Sequence, residues 1–486
     1  AEHITGRKPV RQASEEWQMS KQSSSYGWVV TFAGTGINLA LGALYAWSVF
    51  KKPLASAFDL SDKSTALPYS VAIIMFALMM VPAGRMQDKI GPRVVATISG
   101  ILVGLGFIVS SFATPGNALP YLVIGFGVLA GAGIGFGYAS TTPPAIKWFP
   151  PEKKGLIVGL VVGGFGLASV YVAPLTDSLI KSKSPDPAKI IMEQAPGAEA
   201  QVVEAGMLTM DQAREQYSKA CSNAFRILGV LFLAMTVVFA QLLKNPPTGY
   251  KPEPVAKKKD TKAKPKAAAV DYSLAEMLKT PQFYIMWIMF VFSAGAGLMV
   301  ISFMAKLAAE LNTAGKIAFA GFVFVAILSI GNASGRIISG TLSDKIGRTT
   351  TMFIVFIVQA AVMAMFPRLE STVVFVIGSL LVGFCYGSCL SLFPSTTADY
   401  FGMKNLGLNY GLVFTAWGVG GFIMPLIAGA IKDSTGSYTN SFYVASAICV
   451  VAALMSFTLK APAAASAPDA KGKGVPAPAT VKTKGK

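Results

Sequence analysis

Arg336 is a permanent cation in apolar surroundings. It sits in GNASGRIISG (residues 331–340), behind the run AFAGFVFVAILSI and ahead of little but Ile, Gly, Ser and Leu. On a helix, Ser329, Asn332, Arg336, Ser339 and Ser343 follow one another at steps of three and four residues. That spacing draws a single polar stripe along one face, which in an apolar medium turns toward a cavity or a neighbouring helix. A guanidinium stays protonated and offers five donors in a planar fork that suits a carboxylate. No Asp or Glu lies within the apolar runs; Asp177, Asp399 and Asp433 stand only at their ends. The counter-ion expected for Arg336 is therefore a small anion from outside the chain, and one deep cation suits one carboxylate. Other chemistry finds no residues. The single His is His3, and Cys221, Cys385, Cys389 and Cys449 show no metal-binding spacing. No catalytic cluster, metal or cofactor is expected.

The elements that must hold this arginine are apolar and long. Only 14% of the 486 residues are charged, well below the ~25% of soluble domains. Apolar residues gather in twelve runs, near 27–50, 65–84, 94–113, 119–143, 155–176, 223–243, 282–304, 315–340, 350–367, 372–397, 407–431 and 438–459. Each approaches or exceeds the ~20 residues that cross a bilayer as helix. The expectation is an all-α integral membrane protein of the inner or plasma membrane, in contact with the lipid bilayer. The net charge of +18 suggests nucleic acid, but its distribution argues against that partner. Basic residues collect in alternate loops: Arg85, Lys89 and Arg93, then Lys147, Lys153 and Lys154, then nine Lys in 244–281 and five after Lys460. This is the pattern of cytoplasmic loops, and it places both termini in the cytoplasm. No cleavable signal sequence is read, because the first apolar run is long enough to span. Residues 1–18 are unlike the rest of the chain, and Met19 is one reading of a native start.

The chain repeats itself. GRMQDKIGPR (84–93) returns as GTLSDKIGRT (340–349), and the triplet STT at 140–142 returns at 395–397. GLIVGLVVGGF (155–165) is echoed by GLNYGLVFTAW (407–417). These repeats divide the chain into two pseudo-repeated six-helix halves, 26–243 and 282–460, an arrangement that places a site at the midplane between them. Residues 1–25 read as a polar cytoplasmic tail, 177–222 as an outer loop, 244–281 as a basic cytoplasmic linker and 461–486 as a disordered cytoplasmic tail. Within the linker, SLAEMLK reads as a short surface helix. Shifting the stripe back by 256 residues lands on Ile73, Phe76, Met80, Ala83 and Gln87. The first half carries no charge there, so the fold itself does not require one. Glycine-rich stretches at 130–140 and 163–166 read as sites of close helix packing.

The loop GRMQDKIGPR resembles the signature G-x-x-x-D-(R/K)-x-G-x-(R/K) of the major facilitator superfamily. GALYAWSVFKKPL (42–54), EMLKTPQFY (276–284), GRIISGTLSDKIGR (335–348) and NYGLVFTAWGVGGFIMPLIAG (409–429) are similar to the oxalate/formate antiporter family and the related monocarboxylate transporters. The resemblance spans about 26–460. It implies a twelve-helix transporter, not an enzyme, working by alternating access as a monomer. It further implies that Gly84, Asp88, Gly91 and Arg93, with Asp344, Gly347 and Arg348 in the second copy, hold the cytoplasmic side closed in one state. Arg336 then binds the substrate carboxylate. Asn332, Tyr45, Tyr138, Tyr386 and Trp417 line the site as neutral groups, with Trp47 a further aromatic of the first run.

This sequence departs from its relatives at two positions. Oxalate exchangers of the family carry a second cation in the eleventh helix, where Trp417 stands here, which favours a monocarboxylate such as lactate, pyruvate or formate over a dicarboxylate. Monocarboxylate transporters often carry Asp four residues before the arginine, where Asn332 cannot titrate. Anion exchange and proton symport both stay open at this point.

Overall fold

In a computed structural model, residues 10–185, 208–247, 249–250, 252, 271–317, 321–368 and 371–462 are described. Residues 1–9, 186–207, most of the linker and the tail from 463 lie outside the described residues, and with them most of the outer loop and the disorder expected of 461–486. The described residues form helices and connecting turns without a β-strand. Among the described residues, eleven helices are long and apolar enough to cross a membrane, and a shorter apolar one, Thr439–Met455, brings the series to twelve.

The first half contains α1 (Val10–Leu41), α2 (Trp47–Phe58), α3 (Asp62–Ile90), α4 (Pro92–Ser110), α5 (Ala118–Leu122), α6 (Gly131–Lys147), α7 (Lys154–Lys181) and α8 (Met210–Ala240). After α9 (Leu274–Met277), the second half contains α10 (Pro281–Thr313), α11 (Gly321–Ile346), α12 (Arg348–Met365), α13 (Thr372–Phe401), α14 (Leu406–Thr435) and α15 (Thr439–Met455). The run Val123–Ala130 joins α5 and α6 into one span as a wider π-type turn. The short helix read in SLAEMLK is α9, closed at its start by a capping box between Ser273 and Glu276.

Three boundaries differ from the sequence expectation. The tail before residue 26 is already helical from Val10, in continuity with α1. The first run does not continue as one helix to residue 50. It tightens into a 3-10 turn at Gly42–Ala46 and restarts as α2. Gly42 lies so close to the Phe165 carbonyl of α7 that a β-carbon would overlap it, and the helix bends around that approach. The loop expected at 177–222 is also shorter than those bounds. Polar turns extend α7 to Lys181, with an Asp177–Lys181 pair at 2.7 Å, and start α8 at Met210 behind a Thr209–Gln212 capping box.

The halves meet along two antiparallel crossings, α7 on α11 and α3 on α14. In the first, Gly166 faces Ala333, Gly159 faces the Arg336 carbonyl and Gly155 faces Gly340. In the second, Gly418 faces Ala77, Gly411 faces the Met80 carbonyl and Gly407 faces Gly84. At Gly155 and Gly84 any β-carbon would strike the opposing backbone, so the helices touch main chain to main chain. These contacts seal the end of the molecule that carries the basic loops. At the opposite end the halves part around a cavity of about 810 Å3, lined by Tyr45, Ser70, Ile73, Ser329, Asn332 and Gly421 among others.

Candidate functional site

The polar stripe on α11 points inward. Ser329, Asn332, Arg336, Ser339 and Ser343 are at most 3% exposed, whereas Ile330 and Ile338 on the other face are about half exposed. Asn332 lines the cavity floor, and Arg336 sits one turn deeper, fully buried. The Asn332 Oδ1 accepts from Arg336 Nε at 2.9 Å. Asn332 thus orients the guanidinium, and its own amide nitrogen stays available as a donor. Arg336 Nη1 donates to the carbonyl of Val162 on α7, in the other half. Arg336 Nη2 is buried and, among the described residues, has no acceptor at hydrogen-bond distance. Among the described residues, no carboxylate lies within ion-pair distance of it. The Phe165 ring lies 5.7 Å from Cζ, within the range of a cation–π contact.

Aromatic groups enclose this charge. Tyr45, in the turn after α1, and Tyr386, on α13, join their hydroxyls across the two halves at 2.5 Å. Trp417 of α14 donates its indole N–H into the same Tyr386 oxygen at 2.9 Å. When Tyr386 gives its proton to Tyr45, the Tyr45 hydroxyl keeps its own to offer to an anion. Tyr138 of α6 is buried with its hydroxyl unpartnered, its ring edge-on to Phe76 and Phe165. Trp417 stacks on Phe414 and leans on Phe76. The expected lining residues therefore converge around Arg336. Trp47 does not: it opens α2, stacks on Phe126 and donates to the Thr65 carbonyl, at the upper wall of the cavity. Residues the sequence did not single out are Val162, Phe165 and Tyr410, whose buried hydroxyl lies close to that of Tyr138. Only the GGFG at 163–166 hinted that α7 would come this near.

The two motif loops lie at the sealed end. Asp344 accepts from the backbone N–H groups of Gly155 and Leu156 at 2.9 and 3.0 Å. These open α7, whose own N-cap residue supplies no side-chain bond, so one half caps a helix of the other. Asp88 does the same for Leu408 at the start of α14, at 3.1 Å. Gly91 and Gly347 take φ of +92° and +96°, a region that L side chains avoid, and so turn the chain into the next helix. Around Asp344 an ionic cluster forms: Arg348 pairs with Asp344 at 2.7 Å and Asp399 at 2.9 Å, and Lys154 reaches Asp399 at 3.1 Å. Arg93 departs from its expected role. It is exposed and, among the described residues, joins no carboxylate. It stands one position further along its helix than Arg348, and one helical residue turns a side chain by about 100°.

The sequence pattern of the major facilitator superfamily matches residues 27–401 and 316–484. The chain is 30% identical over 80% of its length to the uncharacterized MFS-type transporter YhjX of Escherichia coli (strain K12), covering 85% of that protein. It is 26% identical to the oxalate:formate antiporter of Oxalobacter formigenes, covering 86% of this chain and 88% of that one. The apicoplast pyruvate carrier 1 of Toxoplasma gondii is also 26% identical, with 83% of each covered. The fold of this chain is similar to the crystal structure of a major facilitator superfamily transporter, FucP, in the outward conformation, with a TM-score of 0.63 at 15% identity, covering 88% of this chain and 98% of that one. With its sealed basic end, its opposite cavity and this match along most of its length, the chain belongs to the major facilitator superfamily, a family of membrane transporters.

Proposed function

We propose that this transporter carries small carboxylate anions, foremost monocarboxylates of the lactate, pyruvate and formate type, with Arg336 as the carboxylate ligand. The observation that carries the reading is Arg336 itself, fully buried beneath the cavity with Nη2 lacking an acceptor at hydrogen-bond distance among the described residues. A buried charge without an ionic partner costs several kcal/mol, and a carboxylate entering from the cavity would remove that penalty. The Tyr45 hydroxyl and the Asn332 amide add neutral donors at the same cavity, which Lys51 also lines. The basic end is assigned to the cytoplasm from its Lys and Arg content, so that the cavity faces outward. Asp88 and Asp344 close the cytoplasmic side, and the halves rock about the anion.

Anion exchange fits this site better than proton symport. No acid among the described residues lines the cavity, and Asp399, an acid at a span end, is held by Arg348 and Lys154. The relation to an oxalate:formate antiporter supports a second reading, dicarboxylate exchange, against which Trp417 occupies the place of a second cation.

Thermal unfolding across a panel of lactate, pyruvate, formate, acetate and oxalate tests the class. Stabilisation by monocarboxylates that vanishes in Arg336→Gln is the expected result, and no stabilisation by any carboxylate would overturn the reading. Counterflow in proteoliposomes tests the coupling: net uptake driven by a pH gradient, with no internal anion, would rule out obligatory exchange.

A further inference from the structure

Arg336 is tied to both halves. Its own helix holds Nε through Asn332, and the opposite half holds Nη1 through the Val162 carbonyl and faces Cζ with the Phe165 ring. Val162 and Phe165 share α7 with Gly155 and Leu156, whose N–H groups Asp344 accepts. One pair of helices thus carries the contacts of the arginine and, eight residues further along α11, the seal of the basic end. The bond to Val162 is strong because the guanidinium is charged. A carboxylate on Nη2 neutralises that charge and weakens the charge-assisted hold on α7.

Resting on the proposed function, we infer that Val162 and Phe165 are positioning groups that make Arg336 a cross-half tie. A bound anion loosens this tie and so favours opening of the basic end. The carrier without anion then keeps its α7–α11 seam closed, which gives exchange a structural basis. In the carrier without anion the arginine is then held by Asn332 and the Val162 carbonyl rather than wholly unpaired.

The test compares net pyruvate efflux with pyruvate–pyruvate exchange in proteoliposomes. Phe165→Leu removes the ring face but keeps the bulk, whereas Phe165→Tyr retains the ring. In Phe165→Leu the ratio of net efflux to exchange is expected to rise at least about fivefold, the low end of typical coupling between sites. KM for exchange should change far less, and Phe165→Tyr should keep the wild-type ratio. A Leu variant that slows both fluxes equally, or raises KM alone, would make Phe165 a mere lining residue and overturn the tie. Hydrogen exchange on the unmodified protein keeps the inference testable if Phe165→Leu misfolds. Saturating pyruvate should speed exchange of amides in 154–162 and 338–346, and unchanged or slower exchange there sinks it. Absence of any carboxylate flux in the wild type would instead remove the proposed function, and this inference with it.

Discussion

The crossings α3–α14 and α7–α11 are two copies of one device. Each brings two helices together through facing glycines, Gly84 with Gly407 and Gly155 with Gly340, and each ends in an Asp that caps a helix of the other half. Midway, the copies differ. The first has Met80, packed without exposure, where the second has Arg336. At the sealed end the first has Asp88 with one carboxylate oxygen unpartnered, while the second has the four-member cluster of Asp344, Arg348, Asp399 and Lys154. What the copies share is what the fold needs for a tight, closable seam. What only the second has is available for function.

The largest effect should come from erasing the midway difference. Arg336→Met gives α11 the side chain that α3 already accommodates at this place. Replacing a buried charge by an apolar residue is often neutral or stabilising by ~1–4 kcal/mol, so the unfolding temperature is expected to hold or rise. Carboxylate transport should fall at least about 100-fold, the equivalent of ~3 kcal/mol of charged hydrogen bonds. Uptake and thermal unfolding measured on one preparation decide the matter. A variant that folds well and still transports would show that the carboxylate is held by some residue other than the one that sets the two copies apart.

A smaller effect should separate the two caps. Asp344→Asn takes from Arg348 one of its two carboxylates and from two backbone donors their charged acceptor, inside a cluster whose Asp344 and Arg348 side chains are 5% exposed. Breaking a buried pair of this kind costs ~3 kcal/mol. Asp88→Asn weakens one cap, a loss of ~1 kcal/mol. Spin labels on Lys153→Cys and Lys345→Cys, at the rim of the α7–α11 seam, should report a wider distance distribution in the Asp344 variant. The Asp88 variant should change it little. Equal widening in both would mean that the ionic cluster adds nothing to the shared cap.

The sequence announced some of this and was silent on the rest, for physical reasons. The stripe on α11 was legible because polar residues inside an apolar run stand out, and their spacing fixes a face. The absence of an acid was legible by inspection. The repeat exposed Met80 as the counterpart of Arg336. The acceptor on α7 left no trace, since a backbone carbonyl has no residue type, and Val162 and Phe165 read as ordinary apolar positions. Neither could the helices capped by Asp88 and Asp344 be read off, because the capped amides lie 320 and 189 residues away along the chain. The break at Gly42 was hidden because its cause, the Phe165 carbonyl, belongs to another helix.

The smallest effect concerns Arg93, which the motif made a partner of Asp88. In the second copy Arg348 directly succeeds Gly347, and its side chain turns into the seam, where it is 6% exposed. In the first copy Pro92 takes that position and Arg93 comes one residue later, facing outward. The acid that would receive a second cation is missing as well. Aligning the two STT triplets sets Asp399 against Pro144. Arg93→Ala is therefore expected to move stability by less than ~0.5 kcal/mol, as surface substitutions do. Arg348→Ala leaves Asp344 without its cation and Asp399 with Lys154 alone, and should destabilise by ~3 kcal/mol. Thermal unfolding of the two alanine variants side by side measures the gap. If Arg93→Ala cost as much as Arg348→Ala, Arg93 would make an ionic contact at the α3–α14 seam that its outward direction gives no place for. The two crossings would then be more alike in energy than they are in shape.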